Sequence, residues 1–291
     1  MIYGQHPNLR NKPDPMLSLT QADLYAEQLL TVRSQAQMCE PFPDSAQISL
    51  EDAYLIARQI QNKRVQDGER LIGRKIAFAN HTLLKKYGRL VPTQGLIWTP
   101  LFDSTVRFMP QNFGTQSLEG AIQPRLAPEI LFKIGTTPAR DATLDELSDC
   151  LEWMAHGLEI MVCPFPDWKF DTADAIAAFA LHGALLIGEP HQLSSTARHH
   201  LGSILANTSV SLSCDATLLS AGYGSDVTES PLHALWHLQQ LLKDQSGSTT
   251  LQAGEIISTG TWTDLPFIHP GQTWTTAFSG ASLGGLSIGF T

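Results

Sequence analysis

Leu126-Ala127-Pro128-Glu129-Ile130-Leu131-Phe132-Lys133-Ile134 is the stretch on which the reading of this chain turns. It reads as a β-strand, so its side chains alternate between two faces: Glu129, Leu131 and Lys133 on one, Ile130, Phe132 and Ile134 on the other. A second strand, Gly157-Leu158-Glu159-Ile160-Met161-Val162, sets Glu159 opposite Leu158, Ile160 and Val162. Each strand thus carries one carboxylate in a largely apolar run. A buried carboxylate without a partner is costly, and pairs of them meet a cation or share a proton. Glu129 and Glu159 are therefore either oxygen ligands for a hard divalent ion such as Mg²⁺ or exposed glutamates on edge strands, and periodicity alone leaves both open.

Outward from these strands lie other groups able to do chemistry. Lys75 sits in Gly73-Arg74-Lys75-Ile76-Ala77-Phe78, a strand entered through a glycine, and Lys169 in Pro166-Asp167-Trp168-Lys169-Phe170. Either ammonium could hold a substrate carboxylate or, with its pKa lowered by burial, move protons; the alternative for both is a solvated lysine. His182, among the small apolar residues Ala180, Leu181, Gly183 and Ala184 at an expected helix end, is a core histidine or a general acid–base beside a metal. The remaining histidines, His199 and His200 among them, lack metal-ligand spacing. Gly222 and Gly224 lack the strand–helix context of a nucleotide loop, and no Gly-x-Ser-x-Gly elbow occurs.

The chain has 291 residues, of which 43% are hydrophobic and 16% charged, enough apolar material for one large core or two coupled lobes. A formal charge of -9 repels phosphate polymers and anionic lipid, so neither nucleic acid nor a membrane surface is an expected partner. The apolar stretch from Ala175 to Ile187 is interrupted by His182 and falls short of the roughly 20 residues a membrane span needs. No secretory h-region follows the start, and Cys39, Cys150, Cys163 and Cys214 are widely and irregularly spaced, as reduced thiols of a cytoplasmic protein are.

The first sixteen residues read as an irregular arm. Thr20 with Asp23, then Ser49 with Asp52, have the form of capping boxes for two helices, the first with Leu24, Leu29 and Val32 as its stripe, the second with Ala53, Ile56, Ala57 and Ile60. These make a helical N-terminal lobe over residues 1–70. From Leu71 onward the texture is strand-rich. Helices interrupt it where Thr143 and Glu146 box a segment carrying Leu147, Cys150, Leu151 and Met154, where Thr172 caps one carrying Ile176, Phe179 and Ala180, and from Pro231 to Lys243 with Leu235, Leu238 and Leu242 inward. The glycine-punctuated end reads as consecutive strands and tight turns. The fold class is α+β.

In sequential order, these segments resemble the 2-keto-4-pentenoate hydratase branch of the fumarylacetoacetate hydrolase superfamily. Gly73-Arg74-Lys75-Ile76 is similar to its Gly-x-Lys-Ile, Ala127-Pro128-Glu129-Ile130 to its Glu-x-Glu-Ile, Leu158-Glu159-Ile160 to its Leu-Glu-Ile and Asp167-Trp168-Lys169 to its Asp-Trp-Lys. Gly254-Glu255-Ile256-Ile257-Ser258-Thr259-Gly260 resembles its Gly-Asp-Ile-x-x-Thr-Gly, with Pro270-Gly271 at its Pro-Gly turn. The resemblance implies a mixed, β-rich catalytic domain over residues 71–291, homo-oligomers, and a small 2-oxo or 2-hydroxydienoic acid as substrate, as in aromatic catabolism. The implied reaction is hydration of a 2-hydroxy-2,4-dienoate to a 4-hydroxy-2-oxo acid. The alternatives are a related decarboxylase or C–C hydrolase, and a catalytically silent binding or structural homologue. Glu129 and Glu159 match two of the family's three acidic ligands for Mg²⁺ or Mn²⁺, while Lys75, Lys169 and His182 take the substrate-binding and proton-transfer roles. Ala127 stands where the family has its first glutamate, so an ion would draw on water, on substrate oxygens, or on Glu119 or Asp103. Val91-Pro92-Thr93-Gln94 lacks an acidic residue expected in many hydratases.

Overall fold

Ser18 and Ser49 begin helices for one physical reason. Each hydroxyl accepts a bond from the backbone N–H three residues on, and the side chain there accepts one from the serine N–H, which satisfies donors a helix start leaves free. The computed structural model of the chain describes residues 17–43, 48–87, 95–245 and 247–291. The expected N-terminal arm and the Val91–Gln94 segment lie outside these residues.

The box of α1 (Leu19–Ser34) is Ser18 with Gln21 rather than Thr20 with Asp23, and Asp23 instead pairs with Lys63 at 2.8 Å. The face of α1 that packs inward is accordingly Ala22, Ala26 and Leu29, whereas Leu24 is 61% exposed. Ser49 and Asp52 cap α2 (Leu50–Gln66) as expected, and Ala53, Ile56, Ala57 and Ile60 are buried. The faces of both helices enter an apolar cluster that also contains Ala127, Met161 and Phe179. The two N-terminal helices thus share a core with the strands.

The chain then runs through β1 (Leu71–Ala77), α3 (His81–Tyr87), β2 (Ile97–Phe102), β3 (Val106–Phe108), β4 (Phe113–Gln116), β5 (Arg125–Ile134), α4 (Leu144–Asp149), β6 (Leu151–Met161), α5 (Thr172–Ala177), β7 (His182–Ile187) and β8 (His191–Gln192). It continues with α6 (Ser195–Ala206), β9 (Ser209–Cys214), β10 (Thr217–Tyr223), α7 (Pro231–Asp244), β11 (Ile256–Ser258), β12 (Thr273–Ser279) and β13 (Ser287–Phe290). One sheet has the order β2-β1-β11-β5-β6-β7-β3 with β8 beside β6; the other runs β10-β9-β12-β13-β4. This is a mixed α+β architecture. Leu126, Leu158, Ile160 and Leu186 of the first sheet pack with Leu212, Trp274, Ile288 and Phe290 of the second. The alternate residues of β5 and β6, Ala127, Glu129 and Glu159 among them, therefore point to the opposite face.

Helix α7 follows the expected bounds to within a residue and buries Leu235, Leu238 and Leu242. Two expected helices end early. Thr143 and Glu146 do box α4, but it stops at Asp149, and Leu151 and Met154 belong to β6, whose eleven residues pair along β5. Long-range pairing with β5 there overrides the helical spacing of Leu147, Cys150, Leu151 and Met154. Helix α5 is capped by Asp171 rather than Thr172 and ends at Ala177, before Phe179 and Ala180. The four cysteines are unpaired; Cys163 is buried and the other three partly so. Among the described residues no helix is long and apolar enough to cross a membrane.

Candidate active site

The site assembles on the face of the first sheet turned away from the second. Antiparallel pairing sets Ala127 opposite Glu159 and Glu129 opposite Gly157, while Ser258 on β11 stands between Lys75 on β1 and Leu131 on β5. Gly157 leaves room for Leu131: a Cβ added to it would lie 2.3 Å from Leu131 Cδ1, so that side chain would have to turn away. The register thus brings two carboxylates and one ammonium, far apart in sequence, onto neighbouring strands.

All three are buried: Lys75 is 1% exposed, Glu159 1% and Glu129 3%. Burying charge costs several kcal/mol per ion on an order-of-magnitude scale, so the groups persist only because each is partnered. Lys75 Nζ donates to Glu159 Oε2 at 2.6 Å and to the Ala180 carbonyl at 3.0 Å. The other oxygen of Glu159 meets His182 Nδ1 at 2.7 Å, and His182 Nε2 meets Thr105 Oγ1 at 3.0 Å. Burial, and then the positive charges of Lys75, Arg33 and Arg64, hold the His182 imidazole well below its ordinary pKa. A neutral ring with its proton on Nδ1 donates to the carboxylate and accepts from the threonine, which assigns the tautomer.

Glu129 is held differently. Its Oε2 accepts from the Ser258 hydroxyl and from the Gly260 N–H at 3.1 Å. Gly260 has φ +97°, a left-handed conformation that glycine adopts without steric cost, and this turn aims its N–H at the carboxylate. Burial and the neighbouring Glu159 charge push Glu129 up to about 8, against the opposing pull of Lys75. Burial also raises Glu159, while Lys75 opposes that rise by charge and hydrogen bond. Beneath Glu129, the buried His156 bonds the Glu129 carbonyl through Nδ1 at 3.0 Å and Thr276 Oγ1 through Nε2 at 2.9 Å, tying the site strand to the second sheet. Burial lowers His156 to about 4, so it stays neutral.

Lys75, Glu129 and Glu159 line a cavity of about 100 Å³ whose other walls include Phe78, Leu83, Leu84, Met161 and Leu265. Lys75 uses two of its three N–H donors on protein acceptors. The third is available to a ligand.

Of the residues singled out in the sequence, the fold therefore gathers Lys75, Glu129, Glu159 and His182. It does not gather Lys169, whose side chain is 71% exposed and pairs with Asp167 at 3.1 Å. Trp168 is the anchor of that segment: its indole donates to the Gln123 carbonyl at 3.1 Å and lies under the Arg125 guanidinium, turning the next side chain outward. His182 opens β7 rather than closing a helix. Asp103 bonds Arg70 near the surface, and Glu119 is exposed, so neither joins the cluster. Thr105, Arg33 and the acceptor role of Glu129 toward Ser258 and Gly260 carry no local sequence signal. Only the Ser258-Thr259-Gly260 segment was visible, as part of a motif.

The donor set can be tested against a divalent ion. Ala127 is fully buried in an apolar cluster, and no group of three or more His, Cys, Asp or Glu able to hold a metal occurs among the described residues. Two carboxylates face one cavity with a single lysine and a neutral histidine, so with both ionised the cluster would carry one uncompensated negative charge. That set suits a Mg²⁺-like ion, which is held by one or two carboxylates and keeps the rest of its shell for water and substrate oxygens.

No family model matches the chain. Along its length it is 26% identical to a 2-hydroxyhexa-2,4-dienoate hydratase of Comamonas testosteroni over 273 residues, 94% of this chain and 97% of the relative. In structure it superposes on the 4-oxalocrotonate decarboxylase of Pseudomonas putida G7, solved with magnesium and adipate, with a TM-score of 0.83 at 20% identity, covering 96% of this chain and all of that one. A fumarylpyruvate hydrolase of Pseudomonas aeruginosa, solved with Mn²⁺ and pyruvate, shares the fold more distantly, with a TM-score of 0.55 at 14% identity over 75% of this chain and 88% of that one. The fold is that of a fumarylacetoacetate hydrolase-like protein. In sequence the chain is similar to dienoate hydratases and a 4-oxalocrotonate decarboxylase at about a quarter identity, and in fold it is similar to solved proteins of the fumarylacetoacetate hydrolase family.

Proposed function

We propose that the chain is a hydro-lyase that adds water to a small 2-hydroxy-2,4-dienoate, giving a 4-hydroxy-2-oxo acid. The observation that carries this reading is that Lys75, Glu159 and a Glu129 of raised pKa line one apolar-walled cavity, with His182 holding Glu159 from behind. An apolar-walled site with one ammonium donor to spare suits a small carboxylate substrate. The chemistry needs two proton movements. First the 2-hydroxyl loses its proton while C5 gains one, giving a 2-oxo-3-enoate; then the oxygen of water bonds to C4 and a proton is placed on C3. Glu129 carries a proton near neutral pH and can deliver it to carbon. Glu159, oriented from both sides by Lys75 and His182, is the acceptor for the 2-hydroxyl proton. Lys75 binds the substrate carboxylate. Glu159, and Glu129 once it has given up its proton, would hold a Mg²⁺ or Mn²⁺, which would stabilise the enolate charge on the 2-oxygen.

Loss of the conjugated absorbance of 2-hydroxypenta-2,4-dienoate, measured with Mg²⁺ and again with a chelator, tests the proposal. Turnover that depends on the ion is expected, and no loss of chromophore with any dienoate tried would reject it. A second reading, decarboxylation of a related 2-oxo acid, is favoured by the near-complete structural overlap with a decarboxylase. Product mass separates the two, since hydration gains water and decarboxylation loses CO₂. Assembly as a homo-oligomer in the cytoplasm is part of the same proposal and rests on the resemblance.

A further inference from the structure

His182 reaches Glu159 from an unusual piece of backbone. Phe179, Ala180 and Leu181, immediately before it, have φ of 58°, 46° and 60°. Three consecutive non-glycine residues in the left-handed region are sterically disfavoured and persist only where surrounding contacts hold them. Cations hold this turn from two sides. Lys75 Nζ binds the Ala180 carbonyl at 3.0 Å from the sheet, and from the last turn of α1 Arg33 donates through one terminal nitrogen to the His182 carbonyl at 2.7 Å and through the other to the Gly183 carbonyl at 3.3 Å. Among the described residues, these two carbonyls are the hydrogen-bond acceptors of Arg33. The same guanidinium lines a cavity of about 50 Å³ walled by Leu29, Ile60, Val162 and Phe179, so it spans the gap between the helical lobe and the strained turn.

We propose that Arg33 is a positioning residue for His182: its two-pronged grip on the His182 and Gly183 carbonyls keeps the left-handed turn in place, and so keeps His182 Nδ1 on Glu159. The planar fork matters, because a lysine could reach one of the two carbonyls but not both with the same fixed geometry. The effect on turnover rests on the hydratase reading; the effect on the His182–Glu159 bond does not.

The test compares Arg33→Ala and Arg33→Lys with the parent protein by two readouts. The first is the downfield imidazole N–H proton resonance of the His182–Glu159 bond, assigned by its absence in His182→Asn. The second is the split between kcat and KM on the dienoate. In Arg33→Ala the resonance is expected to vanish and kcat to fall about tenfold to a hundredfold with KM changed less than about twofold, the scale of a misplaced catalytic group. Methylguanidinium, entering the space left by the side chain, should restore part of both signals. Arg33→Lys should lie between. If Arg33→Ala does not fold, the lysine variant decides alone. A folded Arg33→Lys, or a folded Arg33→Ala, with the parent resonance and parent kcat would overturn the proposal. If no dienoate is turned over by the parent protein, the resonance still decides the positioning role while the hydratase reading fails by itself.

Discussion

Lys75 and Lys169 make an instructive pair. Both lie in motifs that resemble the same family, yet one is 1% exposed and bonded to Glu159 while the other is 71% exposed and bonded to its neighbour Asp167. The difference lies in what each local segment anchors. Lys75 is an interior residue of β1, with β2 and β11 on either side, so its side chain must enter the sheet's covered face or leave it. Lys169 follows a turn whose anchor is Trp168, and burying the indole spends the inward direction of that segment. Motif identity thus predicts neighbourhood, whereas strand register decides which side chain does chemistry.

The sharpest way to break this contrast is Lys75→Met. Methionine keeps much of the stem's volume but leaves Glu159 without its cation, so turnover should fall by more than about a hundredfold, the scale of losing a group that both binds the substrate and orients the proton acceptor. From sequence alone the expected cost in stability is small, about 1 kcal/mol or less. The burial of the pair revises that upward. Removing one partner of a buried ion pair costs on the order of 3 kcal/mol, moderated here because Glu159 can take up a proton. Urea unfolding at neutral pH reads the stability and dienoate turnover the activity. A variant that is both stable and active would end the claim that Lys75 is the site lysine.

Glu129 sharpens the comparison through pH, because its environment is the negative counterpart of the Lys75 pair. Its folded pKa of about 8 lies above the ordinary carboxylate value of 4.5. Between those values the folded protein holds a proton that the unfolded chain has released, so stability is fullest below pH 4.5, falls as pH rises toward 8 and levels off beyond. The total loss is on the order of a few kcal/mol. Glu129→Gln, which cannot ionise, should flatten that slope between pH 5 and 8 in chelator-containing buffer. A parent protein whose unfolding midpoint does not fall across this range would show that Glu129 is already charged, with a cation at its side.

How much of this was legible in the sequence follows from the range of the interactions involved. Ser49 with Asp52, and the spacing of Leu235, Leu238 and Leu242, report contacts within a few residues, and both helices form where expected. The facing of Glu129 and Glu159 away from Ile130 and Leu158 needed only strand alternation. What could not be read were choices made by distant partners. Leu151 and Met154 have helical spacing but pair with β5, and His182 owes its place to a left-handed turn held by Lys75 and Arg33. Ala127 was visible as a departure from the family pattern. Its consequence, an apolar Cβ directly opposite Glu159, needed the register.

The smallest expected effect belongs to Lys169→Met, and it tests the other half of the contrast. An exposed ammonium paired with an exposed carboxylate gains little, because solvent screens the pair and two long side chains must be held in place. Stability should therefore stay within about 0.5 kcal/mol of the parent, and kcat/KM on the dienoate within about threefold. Trp168 supplies the control. Its indole is buried against Gln123 and Arg125, so Trp168→Ala should cost about 3 kcal/mol or more while leaving Lys169 where it is in sequence. Thermal unfolding and steady-state turnover of both variants make the measurement. If Lys169→Met retains its stability but loses turnover by more than tenfold, the ammonium must reach the substrate in a state this fold does not display. The Asp-Trp-Lys segment would then close over the cavity during the reaction, and burial in the free chain would no longer separate the working lysine from the solvated one.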